Sequence, residues 1–445
     1  MLNSSHSPHS SSRGVEEHFD AVIDTVLDTV PSAAGLPSEE RGVDASVVGL
    51  VLAQDVRAAI PLPPFSNSAM DGFLVHAASI DNGQGPWTLP VAGDVPAGGS
   101  PREVPVGQAV RIMTGGPVPE EHADLCVVPV ELTTTPAGPQ PLPQEVTITQ
   151  APHRRNIRAR SEHICQGEII ARAGELIDAG TLAALLSAGV NRVSVYPRPR
   201  VGVISTGAEL GEGVGAEGAS PSTATPRTAT TAQRAGTRIP DSNGPMLSAL
   251  ARQAGAEVVT TRRSGDHAEE LAAVLDELAG QCDLIVTTGG VSAGAFDVVH
   301  DTLGHTPGAW FGHVAHKPGA PQGYGSWEGT PVLCLPGNPV AAFMSFHLYV
   351  SQALRVLAGH PRPGSPWQRP YLPAAIDAAS FPAAAPAKTT LVPVQLDSHG
   401  ERPVATPFSH RSLGSHLVAS LSGTHGFAAL DAGEELADSL RVYLF

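Results

Sequence analysis

Apolar and polar positions divide the chain into stretches of different period. Over 16–30 the apolar residues recur at helical spacing. Phe19, Val22, Ile23, Val26, Leu27 and Val30 form one stripe with acids opposite, and Pro31 ends it. A second helix is predicted over 45–53, and PLPPF at 61–65 then forces extended backbone. From about 58 to 150 short apolar runs alternate with turn residues, the pattern of a β-rich domain inserted into a helical one. Helical period returns over 181–188, stops at Gly189, and gives way to a strand reaching Tyr196.

Beyond residue 200 the pattern alternates regularly. Strands are predicted at 201–205, 257–261, 283–286 and 332–335, with helices at 244–255, 267–279 and from 298 onward, and a long helix after 338. Apolar strands alternating with amphipathic helices require a parallel sheet covered on both faces, so the fold class is multidomain α/β with a doubly wound core. After His360 the prolines and short β-type runs predict a small all-β domain. The resulting organisation is a disordered tail at 1–14, a split helical domain at 15–57 plus 151–195, the inserted β-rich domain at 58–150, the α/β domain at 196–361 and a β domain at 362–445. Within the α/β domain, 211–238 is almost entirely Gly, Ala, Ser, Thr and Pro; it cannot bury enough apolar surface to offset its ordering entropy, and a disordered surface loop is predicted.

Composition narrows the partners. A formal charge of −16 offers no basic stripe for nucleic acid. The longest apolar stretch, 340–357, carries His347, Gln352 and Arg355, so no membrane span is expected. Cys126, Cys165, Cys282 and Cys334 form no CxxC and read as cytosolic thiols, and the Ser/His-rich start has no signal-peptide core.

The candidate chemistry lies in small-residue turns after predicted strands. TTGGVSAGAFD (residues 287–297) supplies Gly289, Gly290, Ser292, Gly294 and Asp297. STGAEL (205–210) supplies Thr206, Gly207 and Glu209; PDSNGP (240–245) supplies Asp241 and Asn243; LPGNP (335–339) supplies Pro336, Gly337 and Asn338. A single such loop serves equally as an ordinary βα turn. Four on one edge of a parallel sheet make a binding site for an anionic ligand, since backbone amides gather there. In the β insertion, NSAMDG (67–72) and IMTGGPVP (112–119) hold Asp71 and Thr114, with Asp71 either a functional carboxylate or an Asx-turn residue. Lys317, before Pro318 and Gly319, reads as an anion contact. No P-loop or nucleophile elbow is present.

In order and spacing these motifs, with NIRARSE (156–162), HKPGAP (316–321) and LPGNPV, resemble the molybdopterin molybdenumtransferase family, which includes the gephyrin E domain. The resemblance implies a molybdopterin-binding α/β domain, a C-terminal β barrel, and insertion of molybdate into adenylated molybdopterin with Mg²⁺ and release of AMP. It further implies a cytoplasmic homodimer, with other molybdenum-cofactor biosynthesis proteins as partners. Carried over, Asp71, Asp241, Asp297 and Lys317 would be catalytic and Glu209, Asp241 and Asp297 would face the metal. The turn residues above, with Thr114 and Ser415, would hold the substrate. The chain departs from the family's pattern at Ser66, His163, Ala208, Ala320, Ala341 and Pro393. Ala320 and Pro393 stand where a lysine and an arginine are usual, which predicts ordinary pterin affinity with weak molybdate affinity. A non-catalytic molybdopterin-binding paralogue, acting as carrier, scaffold or regulator, is the alternative.

Overall fold

The computed structural model describes residues 12–29, 36–80, 85–121, 123–136, 138–211, 238–291, 297–409 and 414–445. The chain divides into two compact units, one comprising Met1–Glu39 with Tyr196–Phe445 and the other Glu40–Val195.

The larger unit is built on a six-stranded sheet. In chain order its strands are β1 (Arg200–Thr206), β2 (Glu257–Ser264), β3 (Leu284–Thr288), β4 (Trp310–His313), β5 (Pro321–Trp327) and β6 (Thr330–Leu335), arranged β2-β1-β3-β6-β5-β4. The first four in that order are mutually parallel; β5 and β4 are antiparallel additions that the sequence pattern did not reveal. Strands β1, β3 and β6 are buried almost throughout, as expected for strands covered on both faces.

On one face, Val201, Val203, Leu284, Val286, Leu333 and Leu335 pack with helices α1 (Val15–Thr29), α2 (Asn243–Gln253) and α5 (Pro339–Leu357). On the other, Ile204, Ile285, Val332 and Cys334 pack with α3 (Ala268–Leu278) and α4 (Val298–Leu303). Helix α5 contains a π turn, Phe346–Val350, and is long and apolar enough to span a bilayer, but it is 94% buried inside the chain and serves as a core helix.

Two expectations are corrected. The α1 stripe was assigned to the split helical domain; instead Phe19, Val22, Ile23 and Val26 are buried against the α/β sheet, the nearest apolar face of matching length. Residues 12–14, assigned to the disordered tail, are described: Arg13 forms a parallel bridge with Val314. Residues 212–237 of the 211–238 loop lie outside the described residues.

Barrel closure is explicit in the C-terminal part. Thr389–Asp397 pairs with Val404–Pro407, which pairs with Tyr371–Ile376, then Ser439–Leu444, then Gly426–Leu430, and this last strand returns to Thr389–Asp397. Inward-facing Val392, Val394, Ala428, Leu430 and Val442 fill it. The short strand His316–Lys317 adds to Thr389–Asp397.

The second unit holds a five-stranded sheet in the order Leu125–Pro129, Gly72–His76, Ala109–Ile112, Trp87–Val95, Glu145–Ile148, with apolar clusters on both faces. Its remaining residues hold one helix, Ala179–Ser187, and short strands. This is the further departure from a helical reading. The helix predicted over 45–53 is a single 3₁₀ turn, Ala45–Val47, because Gly49 takes φ +83° and the chain turns into the strand Val51–Leu52.

Candidate functional site

Parallel neighbours bring the carboxyl ends of β1, β3 and β6 side by side, and four turns open there into one cleft of about 960 Å³. Thr206, Gly207 and Glu209 follow β1. Asp241 and Asn243 lie at the start of α2. Gly289 and Gly290 follow β3, with Asp297 at the start of α4. Pro336, Gly337 and Asn338 lead from β6 into α5, and Ser415 approaches from the barrel domain.

A polar network fixes these turns to one another. Asn243 donates both Nδ2 hydrogens, to Thr288 Oγ1 at 3.0 Å and to the Gly337 carbonyl at 2.6 Å. The Thr288 hydroxyl donates to the Pro336 carbonyl at 2.9 Å, and Thr206 Oγ1 donates to the Thr288 carbonyl at 3.3 Å. Thr288 is buried, and so is Asn243, so these bonds form away from water, where leaving one unmade is costly. Gly289 is required at its position: φ is +98°, and a Cβ would stand 2.7 Å from the Thr206 carbonyl oxygen. At the other end of the cleft, Val340 N donates to the Ser415 carbonyl at 3.0 Å, anchoring the barrel loop to the first turn of α5.

Not every predicted residue joins this cleft. Ser292 and Gly294 lie outside the described residues. Lys317 is exposed on its short strand and does not line the cleft; pairing with Thr390 places it on the barrel sheet. Asp71 and Thr114 belong to the second unit, where Thr114 N donates to Asp71 Oδ1 at 2.6 Å across 43 residues. The Asp71 carboxylate is thus engaged by a distant loop. The Thr114 amide, with its hydroxyl, holds that carboxyl below the usual carboxylate range.

Sequence reasoning missed Asp266, Ser205, Thr288 and His416, which also line the cleft. Asp266 was findable: it follows the end of β2, and its Oδ1 accepts from Ala208 N at 3.1 Å. His416 carried no signal, because a β tail gives no hint of which loop reaches the sheet edge.

Glu209, Asp241, Asp266 and Asp297 give the cleft four carboxylates, and among its described lining residues there is no lysine or arginine. The expected trio of Glu209, Asp241 and Asp297 is not preassembled, since no three His, Cys, Asp or Glu side chains form a metal-holding group among the described residues. Mg²⁺ is ordinarily held by one or two carboxylates, waters and substrate phosphates, and hard oxygen donors on this wall fit that mode.

Of the departures from pattern, Ala341 lines the cleft, buried. Ala208 offers only its amide, to Asp266. Ser66 Oγ accepts from Arg160 N at 3.1 Å, and His163 donates its amide to the Leu62 carbonyl. Pro393 is buried in a barrel strand opposite Phe427, and Ala320 accepts from Val314 N at 2.7 Å; neither lines the cleft.

Comparison with known proteins covers both units, although the N-terminal match includes α1, which packs on the α/β sheet. Residues 14–189 match the MoeA N-terminal region (domain I and II), 202–356 a probable molybdopterin binding domain, and 378–439 the MoeA C-terminal region (domain IV). The chain is 38% identical over 374 residues to molybdopterin molybdenumtransferase 2 of Mycobacterium tuberculosis, covering 82% of this chain and 84% of that one. It is 32% identical over 319 residues to the molybdopterin molybdenumtransferase of Staphylococcus epidermidis, covering 70% of each. The crystal structure of the molybdopterin biosynthesis moeA protein from Pyrococcus horikoshii OT3 shares the fold, with a TM-score of 0.74 over 98% of this chain and 100% of that one at 22% identity. This chain belongs to the molybdopterin molybdenumtransferase family.

Proposed function

We propose that the cleft at the carboxyl edge of β1, β3 and β6 receives adenylated molybdopterin, and that the chain inserts molybdate into its dithiolene with release of AMP. The observation that carries this reading is the convergence of four strand-to-helix turns on one cleft that also bears four carboxylates. A binding-only paralogue would need the turns but not the acids, so the acids favour the enzyme.

Backbone amides of Gly290, Gly337 and Asn338 take the phosphates, since glycine lets the main chain approach closely and no lysine competes for the role among the described lining residues, while the Gly289 amide is spent on the Leu335 carbonyl. Asn243 and Thr288 hold those turns in register and do not themselves react. Mg²⁺ would be held by one or two of Glu209, Asp241, Asp266 and Asp297, and when bound it offsets charge on the leaving phosphate. Asp71 stays ionised through its bond to Thr114 and serves as the carboxylate from the inserted domain.

A homodimer in the cytoplasm is inferred from the family resemblance. The apolar stripe of α1 gives it no support, because Phe19, Val22 and Val26 are buried within the chain. Sedimentation at micromolar concentration tests the dimer. For the reaction, purified protein is given adenylated molybdopterin, Mg²⁺ and molybdate, and AMP is followed. Stoichiometric binding without AMP release, at any molybdate concentration, would establish the binding-only paralogue instead.

A further inference from the structure

Outside the cleft, three buried polar side chains meet between α1, α5 and the strand His316–Lys317. His18 is 1% exposed, His316 0% and Tyr349 1%. The His18 ring lies 4.8 Å from that of Tyr349, edge-on, and the His316 ring lies 5.9 Å from Tyr349. His316 Nδ1 is 2.9 Å from the Pro318 carbonyl, which can only accept, so Nδ1 carries the hydrogen and Nε2 is a bare lone pair. His18 Nδ1, His316 Nε2 and Tyr349 OH have no hydrogen-bond partner among the described residues. Tyr349 is presented by the π turn of α5, a local irregularity of the kind often found at functional positions.

The start of α1 is sewn to the same place. Arg13 N donates to the His313 carbonyl at 2.9 Å and Ala315 N to the Arg13 carbonyl at 2.8 Å, while the Arg13 guanidinium sits 4.1 Å above the Trp310 ring and donates to Tyr324 OH at 3.0 Å. Three and five residues after His316, Gly319 and Pro321 line the cleft. One cluster therefore fastens both α1 and a piece of the cleft wall.

We propose that Arg13, His18, His316 and Tyr349 form a proton-sensitive clasp that holds α1 and the Val314–Gln322 segment in place while both imidazoles are neutral. The charged side chains acting on the two rings are cationic, Arg13 on His18 and Lys388 on His316, while Glu17 pairs with Arg13 at 3.4 Å. Burial above all, then His316 and Arg13, holds His18 well below the ordinary histidine range. Burial pushes His316 down to about 4, against the Pro318 carbonyl and helped by Lys388. Among the described residues no carboxylate is ion-paired or hydrogen-bonded to either ring, Glu17 being engaged by Arg13, so a proton taken up favours the open clasp, where the ring reaches water.

The sign follows from linkage. The open state binds more protons than the closed one between the ordinary value near 6.5 and about 4, so closure is complete at neutral pH and weakens as pH falls through that window. For His316 alone, opening at pH 5 is favoured about thirty-fold relative to pH 8, and His18 adds to this.

Amide hydrogen exchange on the full chain, expressed as protection factors to remove the intrinsic pH dependence, tests the clasp. Between pH 8 and pH 5, protection of α1 and of the Val314, His316 and Gln322 amides should fall about thirty-fold further than that of α3. His316→Asn keeps a donor for the Pro318 carbonyl and should remove the His316 share of the difference, leaving that of His18. Lys388→Met leaves both rings in place, removes one opposing charge, and should reduce it. The proposal is overturned if α1 holds its protection at pH 5, if α1 and α3 lose protection in step, or if His316→Asn retains the full effect.

Discussion

Thr288→Val is the cleanest perturbation of the cradle. Valine keeps the shape of a side chain that is 1% exposed but removes the hydroxyl that accepts from Asn243 and donates to the Pro336 carbonyl. Asn243 keeps its bond to the Gly337 carbonyl, so one amide hydrogen and one carbonyl lose their partners. Two bonds at about 0.5–1.5 kcal/mol each, with a buried carbonyl stranded, give roughly 2–3 kcal/mol. With two units in the chain a single global transition would blur the effect. Exchange at Val203, Ile285 and Val286, all on the central strands, reports on this unit alone and should quicken about 30- to 150-fold, about 1.4 kcal/mol being tenfold. Asn243→Ala made alone and with Thr288→Val completes a double-mutant cycle, in which contacting residues couple by about 0.5–3 kcal/mol. A change under about 0.5 kcal/mol, or full additivity of the pair, would refute the network as the element that fixes the turns.

Gly289→Ala should cost more than tenfold in ligand affinity, measured by titration calorimetry, since its Cβ would sit 2.7 Å from the Thr206 carbonyl oxygen at φ +98°. Burial, with Arg369 adding, pushes His347 down to about 3. The unfolded ring therefore binds more protons than the folded one between about 6.5 and 3, and stability present at neutral pH is lost on acidification, by about 2 kcal/mol at pH 5. Exchange protection at Val203, Ile285 and Val286, compared at pH 7.5 and 5, should fall further by about that amount in the natural chain than in His347→Phe, because His18, His316 and His360 contribute equally to both. Ala320→Lys should sharpen the molybdate dependence of AMP release while leaving pterin affinity nearly unchanged; saturation of the natural chain at micromolar molybdate would show that another group already fills that role.

How much of this was legible depends on whether a feature is local. Strand, small-residue turn and helix are written in consecutive residues, so the cradle glycines and Asn243 could be named from order alone. The α1 stripe was equally plain, yet a period of 3.6 says that a face is buried and not against what; the sheet claimed it. Strands β4 and β5 escaped because Trp310–His313 is short and Pro321–Trp327 carries two glycines, so neither shows an apolar alternation. Residues 45–53 carried enough Val, Leu and Ala to look helical, and one glycine at positive φ decided otherwise.

Strand order is the non-local fact that matters most for the chemistry. Asp266 follows β2, Glu209 follows β1 and Asp241 opens α2, so three of the four carboxylates gather at the β2–β1 side, with Asp297 beyond β3. On the β6–β5 side the described lining is Gly319, Pro321, Gly337, Asn338, Ala341 and the barrel loop with His416, with no acid among them. Strands about 4.8 Å apart put β1 and β6 roughly 10 Å from one another, comparable to the length of a pyrophosphate with its flanking groups. Acids repel a phosphate that arrives without a cation, whereas the amides and the acid-free end do not. On the proposed function, the ligand's bare anionic groups would therefore be directed to the β6–β5 side and any metal-bound phosphate to the β2–β1 side. Each motif could be read in isolation; only the pairing of β1 with β3 and β3 with β6 turns them into a cleft with two unlike ends.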